Sequence, residues 1–258
     1  MSNFLGLDQK ATDRAKAKFV IIPCPHEATT SYGQGTKHGP AAILKASSQV
    51  EWFDQELGDE PVVKAGIFTE KPTGISGLEA RVTASLNEGK VPVILGGEHS
   101  LSPAAVKACK ARYPDLSVLH FDAHADLRDS YRGRRDSHAC AARRIWEITR
   151  ALVQVGVRSL SREEHDWAKK VKLAKAKLTR HVYISLDVDV FDPAVIPATG
   201  TPEPGGLLWP DVLGRLKKVC AKHVVVGFDV VELSPRRDDR ASDFTAARLV
   251  YKLIGLLT

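Results

Sequence analysis

Asp122-Ala123-His124-Ala125-Asp126 sets two carboxylates and an imidazole at period-two spacing directly after an apolar run. That run, Leu116 to Phe121, reads as a buried strand. If extended backbone continues past it, positions 122, 124 and 126 project from one side and can converge on a point, as ligands of a metal ion must. A second apolar run, Val182 to Leu186, leads straight into Asp187-Val188-Asp189, so two adjacent strand ends would share one cluster of charge. A third, Val91 to Leu95, ends in Gly96-Gly97-Glu98-His99-Ser100, where the glycines allow a sharp turn and His99 supplies a sixth ligand. Four unpaired aspartates in one cleft cannot all stay ionised. The arrangement therefore calls for cations.

The donor set narrows the metal. Asp122, Asp126, Asp187 and Asp189 with His99 and His124, and no thiolate close in sequence, form a hard, oxygen-rich set that suits Mn(II) better than structural zinc, with Ni(II), Co(II) or Fe(II) still open. Six ligands exceed the needs of one open catalytic ion but match a pair with bridging aspartates. Such pairs sit roughly 3.5–4 Å apart and activate a water as nucleophile.

The elements that must position these residues can be read from the pattern. Strand-like runs recur near Phe19, Val62, Val91, Leu116, Leu152, Val182 and Val224, mostly separated by helix-like stretches, as in a parallel sheet with helices on both faces. Ser102-Pro103 fits a cap and first-turn proline before a helix over Ala104 to Tyr113, Ser161 with Glu164 forms a capping-box pattern, and Gly89 fits the stop of the helix before Val91. His99, the Asp122 cluster, the Asp187 pair and Glu232 each come just after the carboxyl end of a different strand, where ligands bind in open α/β sheets.

With 258 residues and no linker or low-complexity segment, the chain is expected to form a single domain over residues 1–258. No run approaches the roughly 18 apolar residues of a membrane helix, and Asp8, Lys10, Asp13, Arg14, Lys16 and Lys18 alternate charge where a signal peptide would carry an apolar core. A cytoplasmic protein without a membrane partner is expected, with Cys24, Cys109, Cys140 and Cys220 reduced. The net charge of +6 raises nucleic-acid binding. Its densest basic block, Lys169 to Lys177, alternates with apolar residues and lacks aromatic platforms, so it reads as a solvated face.

Gly96 to Ser100 (GGEHS), Phe121 to Arg128 (FDAHADLR), Ser137 to Cys140 (SHAC) and Ser185 to Pro193 (SLDVDVFDP) resemble, in order and spacing, the signatures of the ureohydrolases, the family of arginases and agmatinases. The likeness runs from about Phe19 to Tyr251 and includes Gly200 to Gly206 and Gly227 to Glu232. It implies an α/β fold, a three-layer α/β/α sandwich around a parallel sheet, assembled into homo-trimers or homo-hexamers. It also implies two Mn(II) ions per chain, one held by His99, Asp122, Asp126 and Asp187, the other by His124, Asp122, Asp187 and Asp189. Leu127-Arg128 and the SHAC stretch look like the agmatinase branch; the asparagine that arginases carry soon after the Asp126 position is missing.

The expected reaction is hydrolysis of a small-molecule guanidino compound, foremost agmatine, to urea and an amine. A guanidinium resists neutral water, so an activated nucleophile is the first requirement. Asp126 would relay a proton to the leaving amine, Glu232 would pair with the guanidinium, and His138 would exchange protons with solvent or touch the substrate. His120, inside an apolar strand, is expected to be structural, His26, His38, His165, His181 and His223 solvated or satisfied, and Cys140 a packing residue. Aminopropylagmatine, arginine or a guanidino-carboxylic acid are the alternative substrates. Arg132, Arg134 and Arg135, between Asp126 and His138, would repel a second cation unless compensated, which is the argument for the acid. A deacetylase-like amidohydrolase is the alternative chemistry, but it calls for a tandem histidine pair, and no His-His occurs here.

Overall fold

The computed structural model describes residues 3–8 and 13–258; Lys10, part of the alternating N-terminal charges, lies outside the described residues. Seven parallel strands form one sheet: β1 Phe19–Cys24, β2 Ile67–Thr69, β3 Val91–Gly96, β4 Ser117–Phe121, β5 Leu152–Val155, β6 His181–Asp187 and β7 Val224–Val231, in the order β2-β1-β3-β7-β6-β4-β5. Nearly continuous runs of Val, Ile, Leu and Phe suit strands buried on both faces. Successive side chains go to opposite layers: Phe19, Ile21, Val93, Leu95, Leu119 and Phe121 join one core, while Val20, Ile22, Ile94 and Val118 join the other.

Helices α1 Gly39–Ser47, α2 Pro61–Ala65, α7 Trp209–Cys220 and α8 Arg240–Leu256 cover the first face; α3 Ile75–Asn87, α4 Ser102–Arg112, α5 Ala141–Thr149 and α6 Arg162–Lys170 cover the second. The result is the expected three-layer α/β/α sandwich. The Ser161–Glu164 capping box opens α6, and Gly89, at φ +70°, comes after α3 in the left-handed region. The lysines from Lys169 to Lys177 are exposed. No helix among the described residues is long and apolar enough to cross a membrane.

Three expectations need correction. Val62 lies in α2, not in a strand: Pro61 fixes a first helical turn, and the short strand begins only at Ile67, after Gly66 turns the chain at φ +64°. Ser102 is the first residue of α4 and not its cap, because a short 3-10 turn over His99–Leu101 precedes it and starts the helical path earlier. The strand before the Asp122 cluster ends at Phe121, and Asp126 takes φ +50°, so positions 122, 124 and 126 do not continue an extended ladder.

Strand order is what gathers the chemistry-bearing residues. β3, β7, β6 and β4 are consecutive neighbours, and Phe121 pairs with Leu186 while Val231 pairs with Asp187, so the carboxyl ends of all four lie side by side. Gly97 leaves β3 against the loop after β1, where its amide donates to Cys24 O at 3.0 Å and Glu98 N–H donates to His26 O at 2.8 Å. A Cβ at Gly97 would overlap the His26 carbonyl. Gly97→Ala is expected to cost about 1–3 kcal/mol of stability in urea unfolding, because backbone must move to admit one methyl group. An unchanged midpoint would contradict this close approach.

Candidate active site

The four strand ends bring together His99, Asp122, His124, Asp126, Asp187, Asp189 and Glu232, and His138 reaches the same cavity from the turn before α5. His99 Nδ1 lies 3.1 Å from Asp122 Oδ2, 3.4 Å from Asp187 Oδ2 and 3.6 Å from Asp126 Oδ2. His124 Nδ1 lies 2.8 Å from Asp189 Oδ2 and 3.7 Å from Asp122 Oδ1. Side-chain donors of His99, His120, Asp122 and Asp126, and separately of Asp122, His124 and Asp189, approach closely enough to hold an ion, and Asp122 belongs to both groups. His99 Nδ1 and Asp122 Oδ2 are buried with no hydrogen-bond partner. Buried polar atoms are rarely left so, and a cation between them would satisfy both. The donor set fits divalent metal.

His120 joins the cluster differently. Gln154 Nε2 donates to Ala125 O at 2.8 Å and approaches His120 Nδ1 at 3.3 Å. That makes Nδ1 an acceptor and leaves the ring proton on Nε2, 3.4 Å from Asp122 Oδ2. A protonated nitrogen cannot bind a cation. His120 therefore stacks on His99, with ring centroids 4.7 Å apart, and flanks Asp122.

Glu232 and Asp126 are non-glycine residues at φ +65° and +50°. Such strain persists only where surrounding structure enforces it, and it clusters at functional sites. Here Glu232 N–H donates to Gly97 O at 2.8 Å, and the Glu232 carboxylate accepts the His99 N–H at 2.6 Å, tying β7 to the loop after β3. His138, at the start of the turn before α5, has its Nδ1 3.0 Å from Thr29 Oγ1.

A cavity of about 290 Å³ opens over the cluster, lined by Asp126, Asp187, Asp189, Glu232, His124 and His138, with Glu164, Arg128 and Tyr131 on its walls. Tyr32, 83% exposed, and Leu160, 47% exposed, also line it. Arg132, Arg134 and Arg135 do not. Arg134 pairs with Asp136 at 2.9 Å, Arg135 with Asp129 at 2.7 Å, and Arg132 lies over the Tyr131 ring. The charges of Arg134 and Arg135 are thus offset locally, whereas Arg132 meets the Tyr131 ring and the Ser31 carbonyl. Cys140 is buried and its thiol is pushed up to about 11 by burial, in keeping with packing.

Sequence reasoning missed a second tier. His99 Nε2 meets Ser185 Oγ at 2.9 Å, and Ser185 and Tyr183 donate to the buried Asp229 at 2.8 Å each. Polar residues inside otherwise apolar strands were the available signal. The buried Glu98 and its partner Thr29 were missed as well.

The family-wide model for the arginase family matches residues 17–255. The N(1)-aminopropylagmatine ureohydrolase of Synechocystis sp. is 36% identical, over 95% of this chain and 90% of that protein, and the agmatinase of Pyrococcus horikoshii 34% identical, over 97% and 95%. The crystal structure of agmatine ureohydrolase of Thermoplasma volcanium superposes with a TM-score of 0.86 at 30% identity, covering 100% of this chain and 94% of that one. The fold and its carboxylate-lined cleft define a hydrolase of the ureohydrolase class. The chain belongs to the arginase family.

Crowding shows in the titration of the site. Burial, then the neighbouring carboxylates, hold Asp126 and Asp187 well above the ordinary range and raise Asp189. Burial pushes Glu232 up to about 8 although it accepts the His99 N–H. Asp122 goes the other way, since contacts with His124 and His99 overcome the cost of its burial. An acid whose folded pKa is raised contributes stability that is complete below its unfolded value and lost as pH rises through the folded one. The metal-free protein is therefore expected to lose melting temperature from about pH 5 to pH 8, the window that Glu232 spans. Saturating Mn(II) should reverse the trend, because cations bind the deprotonated ligands. Parallel pH profiles with and without metal would contradict this account.

Proposed function

We propose that this chain hydrolyses the guanidinium of agmatine to give putrescine and urea, using two Mn(II) ions. The observation that carries the reading is the two donor groups sharing Asp122 at the floor of a carboxylate-lined cavity. One ion would be held by His99, Asp122, Asp126 and Asp187, the other by His124, Asp122, Asp187 and Asp189. Bound, the pair lowers the pKa of water so that a nucleophile exists at neutral pH.

The chain's own groups do the rest. Glu232, ionised once cations offset its crowding, presents a flat carboxylate that matches the guanidinium in paired hydrogen bonds and turns its carbon toward the floor. Asp126 accepts a proton and passes it to the departing amine. His138, at the wall, exchanges protons with solvent. Burial lowers the His138 pKa, so the ring is neutral at pH 7 and able to accept.

The wall chemistry supports a cationic substrate: with Asp126, Asp187 and Asp189 taken up by the ions, Glu164 and Glu232 still face the cavity against one arginine, Arg128. Tyr32 and Leu160 offer apolar contact to a methylene tail. The likeness to the Synechocystis protein favours a second reading, in which the same chemistry acts on aminopropylagmatine. A guanidino acid would have only Arg128 for its carboxylate, and its Nε lies 3.9 Å from Glu164.

Urea release by Mn(II)-loaded protein should be fastest with agmatine or aminopropylagmatine and at least about 30-fold slower with arginine or 4-guanidinobutyrate, given about 2 kcal/mol for one mispaired charge in a partly desolvated site. No urea from any of the four would overturn the reading. Glu232→Gln should cut kcat/KM about 30- to 1000-fold with metal content intact, equivalent to about 2–4 kcal/mol. Bridging by Asp122 predicts that Asp122→Asn loses both ions, whereas Asp189→Asn loses about one. Metal analysis showing equal losses would remove Asp122 from the shared position.

A further inference from the structure

We propose that Glu98 and Thr29 form a buried relay that sets the tautomer of His138, keeping the proton on Nδ1 and presenting Nε2 to the cavity as a proton acceptor. The proposal rests on the reading of His138 as a proton carrier in guanidinium hydrolysis. It makes Thr29 and Glu98 positioning residues for that step.

The direction of each hydrogen bond is set by its partners. Glu98, fully buried, receives main-chain N–H groups of Ala28 and Thr29 on Oε2, at 2.7 and 2.6 Å. Main-chain amides only donate, so Oε2 is an acceptor. Oε1 faces two hydroxyls, Thr29 Oγ1 at 2.7 Å and Ser100 Oγ at 2.5 Å, with His26 Nε2 more distant at 3.8 Å. A carboxylate at this position takes the proton of each hydroxyl. Thr29 has one hydroxyl proton, and it is committed to Glu98.

Thr29 Oγ1 is then left with lone pairs alone for its other neighbours. It accepts the main-chain N–H of His138 at 2.9 Å and lies 3.0 Å from His138 Nδ1. Two lone pairs at that distance repel, so Nδ1 must carry the ring proton. Ser137 Oγ, 3.4 Å from the same nitrogen, is the weaker neighbour. Tyr131 packs edge-on against the ring at 5.9 Å and limits its rotation. With Nδ1 held by Thr29, Nε2 is the nitrogen left to face the cavity that His138 lines. The opposite tautomer would place a donor there and could not take up a proton.

Two substitutions separate this role from simple support of the loop. Thr29→Val keeps the volume and removes the hydroxyl, whereas Thr29→Ser keeps the hydroxyl. Glu98→Gln keeps the shape but reverses the relay: its amide oxygen must take the Oε2 position against the two main-chain amides, so its NH2 faces Thr29 Oγ1. The Thr29 proton is then driven toward Nδ1, and the ring is forced into the wrong tautomer.

The test is urea release by the Mn(II)-loaded full chain, with the best of the four guanidino substrates, alongside metal analysis and thermal melts. Thr29→Val and Glu98→Gln are each expected to lower kcat about 10- to 1000-fold with KM within about threefold and metal content unchanged. Thr29→Ser should recover most of the rate. In a His138→Asn background neither change should cost anything further, because a residue that acts only through His138 has nothing left to position. Thr29→Val within twofold of the parent, or a loss that multiplies with that of His138→Asn, overturns the relay. If His138→Asn itself retains full kcat, the reading of His138 falls and the relay falls with it. Should Thr29→Val not fold, Glu98→Gln with intact metal and an unchanged kcat would still overturn it.

Discussion

Buried negative charge is the constraint around which this molecule is arranged. Asp122, Asp126, Asp187, Asp189 and Glu232 are all under one-tenth exposed and crowd the ends of four neighbouring strands. Water cannot solvate them and they repel each other, so most are pushed toward their neutral forms. Only a compensating cation, from metal or substrate, lets the cluster exist as carboxylates. The apolar layers above and below the sheet hold the strand ends in place against that repulsion.

A second ring of polar contacts keeps the inner groups aimed. Asp229, buried in β7, accepts hydroxyls from Tyr183 and Ser185 of β6, and Ser185 in turn meets His99 Nε2. Gln154 on β5 sets the proton position of His120 beside Asp122. Glu98 orders the loop after β1 and, through Thr29, the ring of His138. Each contact joins segments that are far apart in sequence, so imidazole orientation is a property of the assembled fold.

Global and local charge point in opposite directions here. The chain carries a formal charge of +6, yet five carboxylates and one arginine supply the charged groups that line its cavity, beside His124 and His138. Arg134, Arg135, Arg143 and Arg144 pair with Asp129, Asp136 and Glu147. Composition averages over this separation. A cationic ligand responds to the cavity wall at a few ångströms and not to the net charge of the whole surface.

The motifs around His99, Asp122 and Asp187 were legible in the sequence because alternating polar residues at the end of apolar runs can only mean strand ends loaded with charge. Six of the seven strands, the helices on both faces and the gathering of the seven strand-end residues could be read from that pattern, whereas His138 was picked out only through the resemblance of its motif. The seventh strand was misplaced at Val62, where a proline-led turn mimics an apolar strand over a few residues. Tertiary structure alone decided that β7 separates β3 from β6, that Asp126 and Glu232 take left-handed backbone, and that Arg132, Arg134 and Arg135 stay off the cavity wall. It also decided the partners of Ser185, Asp229, Thr29 and Glu98. Local sequence carries side-chain type and period, but a hydrogen bond between residues 29 and 138 or between 185 and 229 exists only once the chain has closed the distance.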